Sequence, residues 1–151
     1  MPLHIILYQP EIPANTGNVA RLSAATGCEL HLIKPLGFSL ADRYLKRAGL
    51  DYWPHVRLTV HESLDEVKAL LPGSRFFYLT TKASQYYTRV SYGENDALVF
   101  GPESRGLPAE VLEANAGALI TIPMEGPVRS LNLSTSVGIV VYEALRQVRG
   151  Y

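Results

Sequence analysis

The chain contains a single cysteine, Cys28, so no internal disulfide can form and nothing calls for an oxidising compartment. No apolar run approaches the roughly 20 residues that span a bilayer. The opening residues, "MPLHIILY", lack the basic start, long apolar stretch and small-residue cleavage site of a secretion signal. The expectation is a cytoplasmic protein. A surplus of charge is missing too. Fourteen lysines and arginines are matched by fourteen acidic residues, which removes any global electrostatic argument for a polyanionic partner while leaving a local basic patch open. Two nucleotide-binding signatures are absent: the first strand candidate runs into "QPEIPANTGN" rather than Gly-x-Gly-x-x-Gly, and no Gly-x-x-x-x-Gly-Lys-Ser/Thr loop occurs. The four histidines, His4, His31, His55 and His61, lack the sequence spacing of a metal cluster, so no metal is expected. His4 and His31 read as hydrogen-bonded structural residues within strands.

What the chain does contain suits one ordinary domain. Of its 151 residues, 47% are hydrophobic and 19% charged, a balance that supports a single core over residues 1–151. The run "LHIILY" (3–8) is apolar, partly β-branched and closed by Pro10 and Pro13, which predicts a buried strand and then a loop. A helix follows, with Asn15 as its N-cap and Gly27 where a left-handed C-cap residue belongs. "ELHLI" (29–33) predicts the next strand, so strand, helix and strand form a right-handed βαβ unit. "SLADRYLKRAGL" (39–50) predicts a helix whose Arg43, Lys46 and Arg47 lie on adjacent turns, as a solvated face or as a basic contact surface. Ser63 and Glu66 make a capping box ahead of the stripe Leu64, Val67, Leu70 and Leu71. Further apolar runs at 75–80, 96–101 and 118–123 predict buried strands, with a short helix over 108–115 whose first turn suits Pro108. Strands alternating with helices imply an α/β fold, a mostly parallel sheet with helices on both faces.

Ligands of such sheets gather where loops converge at the carboxyl ends of strands. Here those loops hold "TKAS", "GPESRGLP" and "PMEGPVRSLNLS", whose glycines, prolines and small polar residues let a ligand approach the backbone. In the first helix, Asn18 and Arg21 fall three apart on one face, near the positive end expected at Asn15, where an anion such as an RNA phosphate is favoured. The same residues also read as caps and a solvated arginine. The last loop opens into "RSLNLSTSVGIVVYEAL" (129–145). Leu133, Val137, Val140, Val141, Ala144, Leu145 and Val148 form a stripe that docks this helix on the sheet, with Asn132 as its cap. Thr135, Gly138, Ile139 and Tyr142 leave its other side small and aromatic. Either a second copy packing about a two-fold axis at Gly138 and Tyr142, or a loop of the same chain, must cover that side.

"PEIPANTGNVAR", "LVFGPESRGLP" and "IPMEGPVRSLNLSTSVGIVVYEAL", in that order, resemble the three motifs of the SPOUT class of RNA methyltransferases. The match is most specific to its small tRNA 2′-O-ribose methyltransferase branch, the TrmL or YibK-type proteins. It runs from about Leu3 to Leu145 and takes in "RAGLDYW" and "LTTKAS", with Glu125 to Val128 departing from the pattern. The resemblance implies a C-terminal deep trefoil knot, a homodimer, S-adenosylmethionine as methyl donor, and methylation of the wobble ribose, cytidine or uridine, in leucine tRNAs. Carried over by position, it implies a cofactor pocket built from Leu79, Thr80, Gly101, Glu103, Gly106, Ile122, Met124, Ser130 and Leu131. It implies catalytic-side roles for Asn18, Arg21, Asn132 and Ser134. Arg43, Lys46, Arg47, Lys82 and Arg129 are the tRNA contacts in this reading.

Transfer of a methyl group from a sulfonium to a hydroxyl is an in-line displacement, and fixing the two reactants can lower its barrier by about 7 to 11 kcal/mol. The family gives Arg21 the role of base. Because arginine has a pKa above about 12 and acts as a donor, the reading preferred here is that Arg21 binds phosphate and stabilises the developing alkoxide, while water or substrate phosphate takes the proton. The competing readings are a non-catalytic RNA- or S-adenosylmethionine-binding protein of the same fold, and a methyltransferase for another RNA.

Overall fold

The computed structural model describes residues 2–41 and 52–151. Among the described residues six strands form one sheet: β1 (His4–Tyr8), β2 (Glu29–Ile33), β3 (Leu58–His61), β4 (Phe76–Leu79), β5 (Ala97–Phe100) and β6 (Leu119–Ile120). Their spatial order is β3-β2-β1-β5-β4-β6, and each pairing is parallel. The central strands β1, β2 and β5 are the continuous apolar runs of the sequence and are buried on both faces, as a parallel sheet between helical layers requires.

The two-residue period of the strands divides the core. Ile5, Leu7, Leu30, Leu32, Leu98 and Phe100 point to one face, where they meet Val19 and Ala20 of α1 (Pro13–Thr26) and Val137, Val140, Val141, Ala144 and Leu145 of the C-terminal helix. Ile6, Ile33, Tyr78, Ala97 and Val99 point to the other, against Leu64 and Val67 of α2 (Leu64–Leu70) and Leu112 of α3 (Ala109–Ala114). The C-terminal helix is α4 (Leu133–Arg149), and it packs beside α1 on the first face. Each buried valine of α4 contributes about 1.5–3 kcal/mol of transfer free energy. The apolar stripe read from the sequence is therefore the docking face, with Val148 packed at its edge.

Several local expectations change. α1 begins at Pro13, with Ile12 in the cap position and no side-chain cap, so Asn15 lies inside the first turn and not at its cap. Pro13 explains this, because its fixed φ and missing N–H suit the first helical position. At the other end Gly27 is the left-handed C-cap, and Arg149 Nη2 donates to Thr26 O at 2.7 Å. The strand β3 has no counterpart in the sequence reading. Its four residues alternate in burial at the sheet edge and give no continuous apolar run. β6 is much shorter than 118–123, since a 3-10 turn occupies Ala116–Ala118 and only a single bridge, Tyr86 to Thr121, continues the pairing. Pro108 precedes α3 as its cap and does not lie in its first turn. Ser63 caps α2 by accepting from Glu66 N at 3.1 Å, while Glu66 reaches back to Glu62 N at 3.3 Å and not to Ser63, so the capping box is half formed. The helix expected over 39–50 falls, from 42 onward, outside the described residues.

Candidate active site

The strand order reverses between β1 and β5, so the connections leaving their carboxyl ends diverge and open a crevice. A cavity of about 570 Å³ lies there, within the range that holds a small-molecule ligand. It is lined by every residue that the motif comparison assigned to the cofactor: Leu79 and Thr80 after β4, Gly101, Glu103 and Gly106 after β5, Ile122 and Met124 after β6, and Ser130 and Leu131 before α4. Lys82, Arg129 and Asn132 also line it. Asn18, Arg21 and Ser134 do not lie on its wall in this chain.

The loop after β5 folds back on itself. A Cβ on Gly101 would stand 2.4 Å from Leu107 N and 2.5 Å from Gly106 C, so only glycine permits this close approach. Gly106 has φ +67°, a left-handed conformation that ordinary side chains resist. These two glycines expose bare backbone along the cavity wall.

Side-chain hydrogen bonds tie this loop to the two neighbouring motifs. Glu103 accepts from Glu11 N and Ile12 N, each at 2.8 Å, and from Asn15 Nδ2 at 3.3 Å. Glu11 in turn accepts from Ser104 N at 2.8 Å and Ser104 Oγ at 2.9 Å. The bonds from the Ser104 backbone and hydroxyl, with help from the nearby Arg105 charge, hold the Glu11 carboxyl below its ordinary value. Arg105 Nη2 donates to Gln9 Oε1 at 2.9 Å. The third motif joins through Asn15, whose Oδ1 accepts from Asn132 Nδ2 at 3.1 Å. Asn15 is buried, and its value lies in this bridge between Glu103 and Asn132. Reading it as a cap missed that role, because both partners are remote in sequence.

Asn132 caps α4: its Oδ1 accepts from Ser134 N at 2.9 Å, Thr135 N at 3.3 Å and Ser134 Oγ at 2.7 Å. Together with the bond to Asn15, these use both ends of its amide, and the Ser134 proton is committed as well. This pair therefore shapes the junction of loop and helix, and Ser134 Oγ keeps lone pairs with which to accept a bond from a ligand.

The expected anion site at the start of α1 is taken by the chain's own Glu103 carboxylate, as the helix dipole favours. Because the helix begins at Pro13, Arg21 stands eight residues in, roughly 12 Å along the axis. Arg21 and Asn18 are exposed on that helix. The Arg21 guanidinium lies 5.9 Å from the centre of the Tyr52 ring, and Tyr52 Oη donates to Gly17 O at 3.0 Å. Tyr52 thus forms a shelf beneath the arginine, and burial raises the pKa of its hydroxyl. Lys82 and Arg129 are exposed at the cavity rim, whereas Arg43, Lys46 and Arg47 lie outside the described residues. On α4, Tyr142 is 49% exposed and nothing stands within 4 Å of a Cβ built on Gly138, so no described segment of the same chain covers that face.

A family model described as the SpoU rRNA Methylase family matches residues 2–142. A protein of Methylovorus glucosotrophus named tRNA (cytidine(34)-2'-O)-methyltransferase is 52% identical over 144 residues, 95% of this chain and 94% of that protein. A solved structure described as giving structural insights into the 2-OH methylation of C/U34 on tRNA superposes with a TM-score of 0.94 at 54% identity, covering 99% of this chain and 97% of that one. An AdoMet-bound rRNA methyltransferase from Sinorhizobium meliloti superposes with a TM-score of 0.82 at 26% identity, covering 96% of this chain and 56% of that one. A model spanning nearly the whole chain, and a relative half-identical along nearly all of its own length, place the chain in the SpoU rRNA Methylase family.

Proposed function

We propose that this chain is a tRNA 2′-O-methyltransferase that transfers a methyl group from S-adenosylmethionine to the ribose of nucleotide 34, cytidine or uridine, with leucine tRNAs as its substrates. The observation that carries the reading is the convergence of three glycine- and serine-bearing loops on one cavity at the sheet's switch point. The cavity wall suits the cofactor: Leu79, Ile122 and Met124 offer apolar surface to an adenine, and the bare backbone around Gly101 and Gly106 offers hydrogen bonds at close range. Bound there, S-adenosylmethionine supplies an electrophilic methyl on a sulfonium.

The chain's own residues do the rest. The bonds among Glu103, Asn15 and Asn132 keep the three motifs in register, so that the reacting atoms meet in line. Ser134 Oγ stands ready to orient the ribose of nucleotide 34, and the exposed Ser130 serves the cofactor side of the cavity. Arg21 and Asn18, absent from the cavity of their own chain, complete the site of a second copy, which α4 meets through Gly138 and Tyr142. There the Arg21 guanidinium, resting on Tyr52, binds a phosphate and stabilises the developing 2′ alkoxide, while water or a substrate phosphate accepts the proton. Lys82, Arg129 and the basic residues Arg43, Lys46 and Arg47 hold the tRNA backbone. The path from β6 to α4 forms the trefoil knot of the class, and one such domain on each of two chains acts on tRNA in the cytoplasm. No described helix is long and apolar enough to cross a membrane.

The test is incubation with labelled S-adenosylmethionine and tRNA, followed by nucleoside mapping, beside a tRNA carrying a 2′-deoxy nucleotide at position 34. The reading expects label at position 34 and none in the deoxy control. Label at another tRNA position, or label only in a parallel incubation with ribosomal RNA, would assign another RNA substrate; binding without transfer would leave a non-catalytic protein.

A further inference from the structure

On the sheet face opposite α1 and α4, at the amino ends of β1 and β2 and thus far from the cavity, three ligand-type side chains meet. His4 Nδ1 lies 3.0 Å from His31 Nε2, Glu29 Oε2 lies 3.4 Å from His4 Nδ1, and the same oxygen lies 4.0 Å from His31 Nε2. A point equidistant from three atoms at these separations is about 2 Å from each, which is the length of a zinc–nitrogen or zinc–carboxylate bond. We propose that His4, Glu29 and His31 form a binding site for one divalent first-row transition ion, with zinc as the best fit to this two-imidazole, one-carboxylate set. Water on the open side completes the coordination.

The surroundings are built for such an ion. The histidine side chains are 5% and 7% exposed, while that of Glu29 is 36% exposed, so the site is enclosed yet has an entrance on the carboxylate side. Behind His31 runs a relay: His31 Nδ1 faces His61 Nε2 at 2.9 Å, and His61 Nδ1 faces Glu66 Oε1 at 3.3 Å. With Glu66 as acceptor, His61 carries its proton on Nδ1 and His31 carries its own on Nδ1. That pattern leaves the His31 Nε2 lone pair directed at the ion. It is the carboxylate-to-imidazole support that metal-binding histidines commonly use. His4 needs only to move its proton from Nδ1 to Nε2, so uptake requires no net proton loss. The histidines come from positions 4, 31 and 61 on three adjacent strands, a separation that no short sequence motif could reveal.

The probe is Zn²⁺ alone, added to chelator-treated, folded full-length protein and followed by calorimetry and thermal unfolding. The expected result is saturation at one ion per chain with a rise in Tm. Glu29→Gln, which keeps both histidines, and His31→Gln each weaken binding at least tenfold. Glu66→Gln, which touches no ligand atom and keeps an acceptor for His61, weakens it by a smaller factor than either ligand substitution, through the relay. X-ray absorption at the zinc edge reports two nitrogen ligands of imidazole type. Absence of stoichiometric uptake by the wild-type protein, uptake unchanged in both Glu29→Gln and His31→Gln, or an all-oxygen ligand shell would each overturn the proposal and leave a purely hydrogen-bonded histidine ladder.

Discussion

Glu103→Gln removes a charge and one acceptor oxygen without changing the shape of the side chain. In the native protein both carboxylate oxygens are engaged, one by Glu11 N and the other by Ile12 N and Asn15 Nδ2. A hydrogen bond to a charged group contributes about 1.5–3 kcal/mol. An anion at a helix start adds about 0.3–1 kcal/mol. Glutamine keeps one acceptor but turns its amide N–H groups toward a backbone N–H, so one bond is lost and a donor faces a donor. Discounted for the partial exposure of the site, the expected loss is about 2 kcal/mol for Glu103→Gln and about 3 kcal/mol for Glu103→Ala. Urea unfolding is the assay, and with an ordinary slope of 1–3 kcal/mol per molar a loss of this size lowers the midpoint by about 1 M. S-adenosylmethionine affinity, measured in parallel, falls because the loop after β5 loses its anchor on α1. A variant that binds the cofactor weakly yet unfolds at the wild-type urea concentration would refute this reasoning and make Glu103 a direct cofactor ligand.

Gly101→Ala places a methyl 2.4 Å from Leu107 N, so the loop must open; cofactor binding, read by calorimetry, is expected to weaken at least tenfold while far-ultraviolet dichroism stays native. Gly138→Arg meets open space within its own chain and replaces a helical glycine, so monomer stability holds or rises by up to about 1 kcal/mol, while light scattering is expected to report the proposed dimer lost and a monomer in its place. For His31 the folded pKa is about 4 against an ordinary 6.5, so the unfolded chain binds a proton that the folded one refuses between those values. With chelator present, stability is full above pH 6.5 and declines as the pH falls toward 4, by at most about 3 kcal/mol, and His31→Gln flattens that part of a pH-resolved unfolding series. Cys28 is buried and its thiol pKa is raised chiefly by burial, so a thiol reagent at pH 8 reacts slowly until urea unfolds the chain.

The central strands were legible because a parallel strand buried on both faces must be a near-continuous apolar run, as "HIILY" and "ALVF" are. The helices were legible where a cap and a stripe coincide, as at Asn132 with Val137, Val140 and Val141. The edge strand β3 escaped notice because "LTVH" is half solvated and too short to show a period. The cofactor residues assigned by motif converge on a single cavity, since each motif carries its own glycine or serine signature. What the sequence could not convey is pairing across long separations. Asn15 bridges Glu103 and Asn132 from 88 and 117 residues away, and His4, His31 and His61 meet only because three strands stack in register. Arg21 presents the same difficulty in a stronger form, since its proposed site belongs to another copy of the chain.

That last point gives the most direct test of the account. Arg21→Ala removes the cation proposed to bind phosphate, and Ser130→Trp fills the cavity from an exposed loop; each variant, paired with itself in the proposed dimer, is expected to be inactive in methylating tRNA. Mixed after mild denaturation and refolding, the two variants form heterodimers in which one site has both an open cavity and an intact Arg21. The account predicts recovery of about a quarter of wild-type methyl transfer in the mixture, the share set by random pairing in a two-fold dimer. No recovery, with heterodimers demonstrably present, would contradict it and place Arg21 and the cavity in the same chain.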